Sequence, residues 1–253
     1  MNVVIAGELP LAAELLQLCT EAGHSTSLFL VETLRESQIA WQLDEEVQTA
    51  NVVIECHNES KIAKRHLMEI LSAAPLVLTS ALACSATEAA SWAKRPAQVV
   101  GWGALPPLAR GGAIEIAAPL QAVPEAVERA TAFWAGLGLT PHTVADGPGL
   151  VRARIVCMLV NEAVTALMEG VASAADIDTA MRLGTNYPRG PLAWGDLMGL
   201  DVTLGVLRGL YEEYGDDRYR PCPLLTRYVQ AGWLGQKSKR GFFEYSTTPT
   251  GKA

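Results

Sequence analysis

Apolar residues fall in short runs through the first part of the chain and in longer amphipathic stretches through the rest. "VVIAG" near the start, "STSLFLV" (residues 25–31), "NVVIEC" (51–56) and "PLVLTSA" each read as a strand. Helical pattern lies between them, over about 11–22 and 60–72, and the first of these stops at Gly23, a helix-ending glycine. "AQVVGWG" and "GAIEIAA" continue the strand pattern, and "VPEAVERATAFWAGLG" is a further helix. Short apolar strands alternating with helices predict a parallel sheet covered on both faces. The texture changes at "DGPGL" (146–150), and from there the pattern is helical. "VRARIVCMLVNEAVTALMEG" is apolar nearly all round, which predicts burial on several sides or a place in a subunit interface. "SAADIDTAMRLG" opens on a capping box from Ser173 to Asp176, and "DVTLGVLRGLYEEYG" is another helix. The expected organisation is an α/β domain over residues 1–145 and an all-α domain over 146–253.

Composition narrows the classes. The chain has 253 residues, 49% of them hydrophobic, and a net charge of -7, which argues against nucleic acid or an anionic membrane as partner. The apolar window over residues 70–87 is broken by Pro75 and several hydroxyl residues, so it is not a membrane span. The chain opens directly into a strand with no basic leader, and a cytoplasmic location is expected. Its five cysteines, at 19, 56, 84, 157 and 222, form no C-x-x-C pair, so neither a metal site nor a disulfide framework is expected.

The opening turn "AGELPLA" follows a strand and starts a helix, as a dinucleotide-binding turn does. Gly7 supplies the tight turn and Ala12 the small residue for helix–strand packing, but Leu9 stands where a second glycine lets a pyrophosphate approach. Glu8 adds negative charge at a helix N-terminus, which normally attracts anions.

Longer stretches carry a resemblance. "DGPGLVRARIVCMLVNEAVTALMEGVASAADIDTAMRLGTNYPRGPLAWGDLMGLD", "YRPCPLL" and "GWLGQKSKRGFFEY" are similar to the helical C-terminal domain of 3-hydroxyacyl-CoA dehydrogenases. "ANVVIEC", "TEAASWAKRPAQVVGWG" and "IEI" bring the first half into register with the same family. The resemblance implies a Rossmann-type domain followed by a helical dimerising domain, a homodimer, NAD as cofactor and acyl-CoA substrates. It places Gly7, Ala12, Glu59 and Lys64 around the cofactor and Glu115 in the catalytic group.

The same register marks substitutions. The family's general-base histidine falls on Gly103 and a neighbouring asparagine on Pro106; its serine falls on Leu82 and its oxygen-holding asparagine on Ala153. None of these side chains takes a proton or donates a hydrogen bond. Losing a general base alone typically costs on the order of 10²–10⁴ in rate. The ribose-binding aspartate falls on Leu30, with Glu32 two positions on. The interval over residues 32–49 is shorter than in the family, where a helical hairpin helps hold CoA, and holds little more than one helix. His57, Cys84, Ser85 and Arg152 lie near the vacated positions as stand-ins. The expectation is weak or absent NAD binding and no more than trace oxidation of 3-hydroxyacyl-CoA. Two alternatives stand beside a weakened dehydrogenase: a non-catalytic homologue serving as a binding or partner subunit, and a different reaction in the same cleft.

Overall fold

The computed structural model describes residues 1–31 and 37–245. Among the described residues, seven strands form one sheet. They are β1 (Asn2–Gly7), β2 (Ser25–Leu30), β3 (Val52–Cys56), β4 (Val77–Ser80), β5 (Val99–Gly103), β6 (Ala113–Ala117) and β7 (Thr140–Val144). The order is β2-β1-β3-β4-β5-β6-β7, parallel throughout except where β5 meets β6. Helices α1 (Leu11–Glu21), α2 (Ser37–Thr49), α3 (Lys61–Leu71), α4 (Ala86–Ser91) and α5 (Pro124–Gly136) connect the strands. The sheet is covered on both faces. Ile5, Leu15, Ile54, Trp102 and Trp134 pack on one side, and Val4, Val53, Leu67, Met68 and Leu71 on the other. This is the doubly covered Rossmann-like sheet that the strand runs predict. β7 is the strand that the pattern did not announce. Its sequence, TPHTV, carries a proline and a histidine and stays largely uncovered at the sheet's edge, so it lacks the apolar run of the inner strands.

The chain then enters α6 (Arg152–Met168), α7 (Ala174–Thr185), α8 (Pro191–Met198), α9 (Leu200–Tyr214) and α10 (Pro223–Gln230). Ser173 caps α7 as expected, its hydroxyl accepting from Asp176 N–H at 3.2 Å. α6 buries Val156, Cys157, Val160 and Val164 against α8 and α9, yet Val151 and Ile155 on the same helix are exposed.

α9 joins the two halves. Gly205 and Gly209 turn their backbone onto the loops that follow β3 and β4. A Cβ at Gly205 would lie 2.3 Å from the Asn58 carbonyl oxygen, and one at Gly209 2.1 Å from that of Ala83. Only glycine admits this approach. Lys61 extends the seam, its ammonium 2.8 Å from Glu212 on α9 and 2.7 Å from Glu88 on α4.

Candidate active site

β1 leads to β2 on one side of the sheet and lies beside β3 on the other, so the C-terminal ends of β1 and β3 form the topological switch point. In folds of this class that crevice is where a dinucleotide lies. Here side chains of the chain itself reach into it. Glu8, just past β1, reaches across to β3: its Oε1 accepts from Asn58 N–H at 2.8 Å, and its Oε2 lies 2.6 Å from His57 Nδ1. His57 Nε2 accepts from Ser60 N–H at 3.1 Å. Burial opposes the imidazolium, but the Glu8 carboxylate outweighs it and raises the His57 pKa above its ordinary value. Either protonation state disqualifies His57 as a free base. The charged ring has no lone pair, and in the neutral ring Nε2 is taken by Ser60.

A second buried group lies beneath. Glu55 is fully enclosed; it pairs with the Lys64 ammonium and accepts from Thr79 Oγ at 2.7 Å and from His57 N–H at 2.7 Å. Lys64 also donates to the His57 carbonyl at 3.2 Å. Ser80 Oγ donates to Asn58 Oδ1 at 2.8 Å. Lys64, expected beside a cofactor, is therefore sealed in the protein interior. Its position on α3 aims it back at β3, nine residues earlier, and Glu55 neutralises it there. Glu59, the other position expected near the cofactor, accepts from Lys237 Nζ at 2.7 Å.

The opening turn is built for packing. A Cβ at Gly7 would lie 2.2 Å from Cys56 Sγ and 2.9 Å from the Cys56 carbonyl carbon, so this glycine serves contact between β1 and β3. Pro10 has no N–H, and the Ala12 and Ala13 N–H groups bond to the Glu8 and Pro10 carbonyls at 3.1 Å each. Ala12 is buried under the sheet as expected, while Leu9 is half-exposed at the crevice mouth. Leu9, Asn58, Leu82, Pro106, Met198 and Val202 line the part of the crevice beside Glu8. Leu30 ends β2 beside Gly7, and Glu32 lies outside the described residues.

Two of the positions that the resemblance places in the catalytic group are neighbours in the sheet. Gly103 on β5 and Glu115 on β6 are direct partners across the antiparallel pair. The volume a side chain at Gly103 would take is filled: its Cβ would meet Leu150 Cδ1 at 2.8 Å and Leu82 Cδ2 at 3.2 Å. Leu150 holds a left-handed backbone, φ 48°, unusual for a branched side chain. Glu115 is engaged elsewhere. Its carboxylate accepts from Arg152 N–H at 3.0 Å and Val151 N–H at 3.4 Å, capping α6. Burial raises its pKa and the two cap bonds oppose that rise. Ala153 is buried among the helices. Arg152, weighed as a stand-in, donates to the Ala113 carbonyl at 3.1 Å. Ser85 caps α4, and burial pushes the Cys84 thiol to about 12, far from a thiolate. Among the described residues no cluster of three or more His, Cys, Asp or Glu could hold a metal ion, and the five cysteines are unpaired. The features that the sequence pattern did not reveal are Leu150, Glu55 and Asn58; each acts through a partner on another strand or loop.

The fold is a Rossmann-like sheet followed by a helical domain, the architecture shared with the 3-hydroxyacyl-CoA dehydrogenases compared below. The model for the C-terminal domain of 3-hydroxyacyl-CoA dehydrogenases matches residues 149–245. A probable 3-hydroxybutyryl-CoA dehydrogenase of Bacillus subtilis is 35% identical over 229 residues, 89% of this chain and 79% of that protein. The 3-hydroxybutyryl-CoA dehydrogenase of Clostridioides difficile is 35% identical over 80% of this chain and 73% of its own length. Among solved structures, the (S)-3-hydroxybutyryl-CoA dehydrogenase of Ralstonia eutropha superposes with a TM-score of 0.75 at 28% identity, covering 97% of this chain and 99% of that one. The chain belongs to the 3-hydroxyacyl-CoA dehydrogenase family.

Proposed function

We propose that this chain is a member of the family whose own dehydrogenase activity is weak or lost, and that it serves as a binding or partner subunit. The observation that carries this reading is the filled pocket at Gly103. Oxidising a secondary alcohol needs a group that accepts its proton as hydride leaves. The position opposite Glu115 has no side chain, and Leu150 and Leu82 occupy the space where one would act. The family's cofactor, NAD, does not fit the crevice in this form. Glu8 puts a carboxylate at the switch point, Pro10 removes an N–H from the start of α1, and Leu9 stands at the crevice mouth. Acyl-CoA, the substrate class in the relatives' names, is in this reading bound weakly or not at all. No described helix is long and apolar enough to cross a membrane, and the cytoplasmic location expected from the sequence is kept as part of this reading.

The partner we propose first is a second copy of this chain. Val151 and Ile155 on α6 and Leu183 on α7 are exposed apolar side chains, and covering them would remove that surface from water. Light scattering at micromolar concentration should give the mass of a dimer; a monomer would remove this part.

The test of the function is calorimetry with NAD and with 3-hydroxybutyryl-CoA, run beside a turnover assay. Weak or no NAD binding and trace turnover are expected. Gly103→His should restore nothing, since the imidazole would have to displace Leu150. Saturable NAD binding at low micromolar concentration together with turnover at the rate of the relatives would overturn the reading.

A further inference from the structure

The seam between the two halves carries a charge group, built around the buried Asp201, that the site does not use. Asp201, in the first turn of α9, is buried, and its Oδ2 pairs with the Lys237 ammonium in the closing segment. Lys237 Nζ also lies 2.7 Å from Glu59 Oε1, on the loop between β3 and α3. One ammonium therefore serves two carboxylates from three separate parts of the chain. The backbone around them is tight: Leu200 N–H donates to the Leu234 carbonyl at 3.2 Å, and the Asn58 carbonyl presses on Gly205 one turn along α9.

We propose that Glu59, Asp201 and Lys237 form a proton-dependent clasp between the sheet domain and the helical domain, tight when one proton is held and looser when it is lost. With both carboxylates ionised the group carries one uncompensated negative charge, and although Glu59 is exposed, Asp201 holds its share of it in a buried position, which is costly. Taking up one proton leaves a neutral group in which the remaining carboxylate keeps the ammonium. Among the described residues the neighbouring elements place no further cation in contact with the group. Val202 N–H donates to Asp201 Oδ1 at 3.0 Å, His57 is turned to Glu8, and Lys61 is engaged by Glu88 and Glu212. The Asp196 carboxylate on α8 faces away, toward residues 242–245.

Burial is the largest influence on Asp201, and together with the neighbouring Glu59 it raises the pKa to about 7 against the pull of Lys237. The sign follows from proton counting. Between the ordinary carboxylate range and about pH 7 the folded chain holds a proton that the unfolded chain has released. Folding is therefore favoured at the acid end of that window and weakens as pH rises through it.

The experiment compares urea unfolding of the full chain and of Asp201→Asn from pH 5 to 9, with hydrogen exchange of residues 57–60 and 236–240 read at pH 6 and 8 and corrected for intrinsic rate. Relative to Asp201→Asn, the folding equilibrium constant of the unmodified chain should fall by up to about tenfold per pH unit below neutrality and run parallel above it. The seam segments should exchange faster at pH 8 than at pH 6 in the unmodified chain only. His57 titrates in both proteins, so its contribution cancels in the difference. Should Asp201→Asn fail to fold, Glu59→Gln carries the test. Removing the neighbouring charge should move the break toward lower pH by about half a unit or more. Parallel curves throughout, or an unmoved break in Glu59→Gln, would overturn the clasp.

Discussion

In the helical half, buried polar side chains hold backbone. Asp178 accepts from the Leu192 and Ala193 N–H groups at 2.8 Å each and so caps α8. Asn161 takes the Cys222 N–H at 2.8 Å and gives a hydrogen to the Arg220 carbonyl at 3.0 Å. Asp196 receives Phe242 N–H, Phe243 N–H and Tyr245 O–H and fixes the closing segment. At the C-terminal edge of the sheet the buried polar groups turn largely on one another: Glu55 with Lys64 and Thr79, Glu8 with His57, Asn58 with Ser80. A binding edge needs donors and acceptors left over for a ligand. Among the described residues this edge turns these polar groups on one another and packs Leu82 and Leu150 at Gly103, so the two regions use the same kind of residue to a structural end.

The comparison is broken most strongly at Asp196. Replacing it by alanine leaves two buried N–H groups and a tyrosine hydroxyl without their acceptor. Asp196→Ala should cost on the order of 3 kcal/mol in urea unfolding and should free residues 242–245 to exchange. A cost below about 1 kcal/mol would show that the closing segment is held by its aromatic packing instead.

The seam gives a smaller and more graded effect. Gly209→Ala places a methyl 2.1 Å from the Ala83 carbonyl oxygen, a backbone atom that moves only with its loop. A destabilisation of about 1–3 kcal/mol is expected. Gly184 in α7 is the control, with no atom within 4 Å of its added Cβ. Gly184→Ala should stabilise by about 0.5–1 kcal/mol. Equal effects at the two glycines would mean that α9 does not sit on the loop as tightly as described.

Periodicity made the inner strands legible because they are apolar on both faces, and the capping box at Ser173 marked the start of α7 from local residues alone. β7 escaped because an edge strand with TPHTV has neither apolar alternation nor a continuous run. Of the candidate site the sequence made two neighbouring positions legible: Gly103 and Glu115 meet across β5 and β6. What fills the positions was not. Leu150 reaches Gly103 from the segment between β7 and α6, and Glu8 meets His57 and Asn58 across about fifty intervening residues. Lys64 shows the limit most plainly. A lysine in the first turn of a helix reads as a surface or ligand-facing charge, and only the placement of Glu55 beneath it makes it an interior one.

The smallest expected effect discriminates most finely between the two uses of a carboxylate. If Glu115 were still part of a reactive site, its charge would matter; if it is a helix cap, its oxygen would matter and its charge would not. The Arg152 and Val151 N–H groups at the start of α6 accept either a carboxylate or an amide oxygen as partner. A negative charge at a helix N-terminus gains about 0.3–1 kcal/mol, but burial acts against it and raises the Glu115 pKa on balance. A raised folded-state pKa means that the carboxyl contributes stability at acid pH and loses it as pH rises through that pKa. Glu115→Gln should therefore change stability at pH 7 by no more than about 0.5 kcal/mol, toward stabilisation, and should flatten the pH dependence just above the ordinary glutamate range. Glu115→Ala, which removes the acceptor altogether, should cost about 1 kcal/mol. A loss larger than about 1 kcal/mol in Glu115→Gln would show that the negative charge itself is required, and would return Glu115 from the frame of the fold to the chemistry of the cleft.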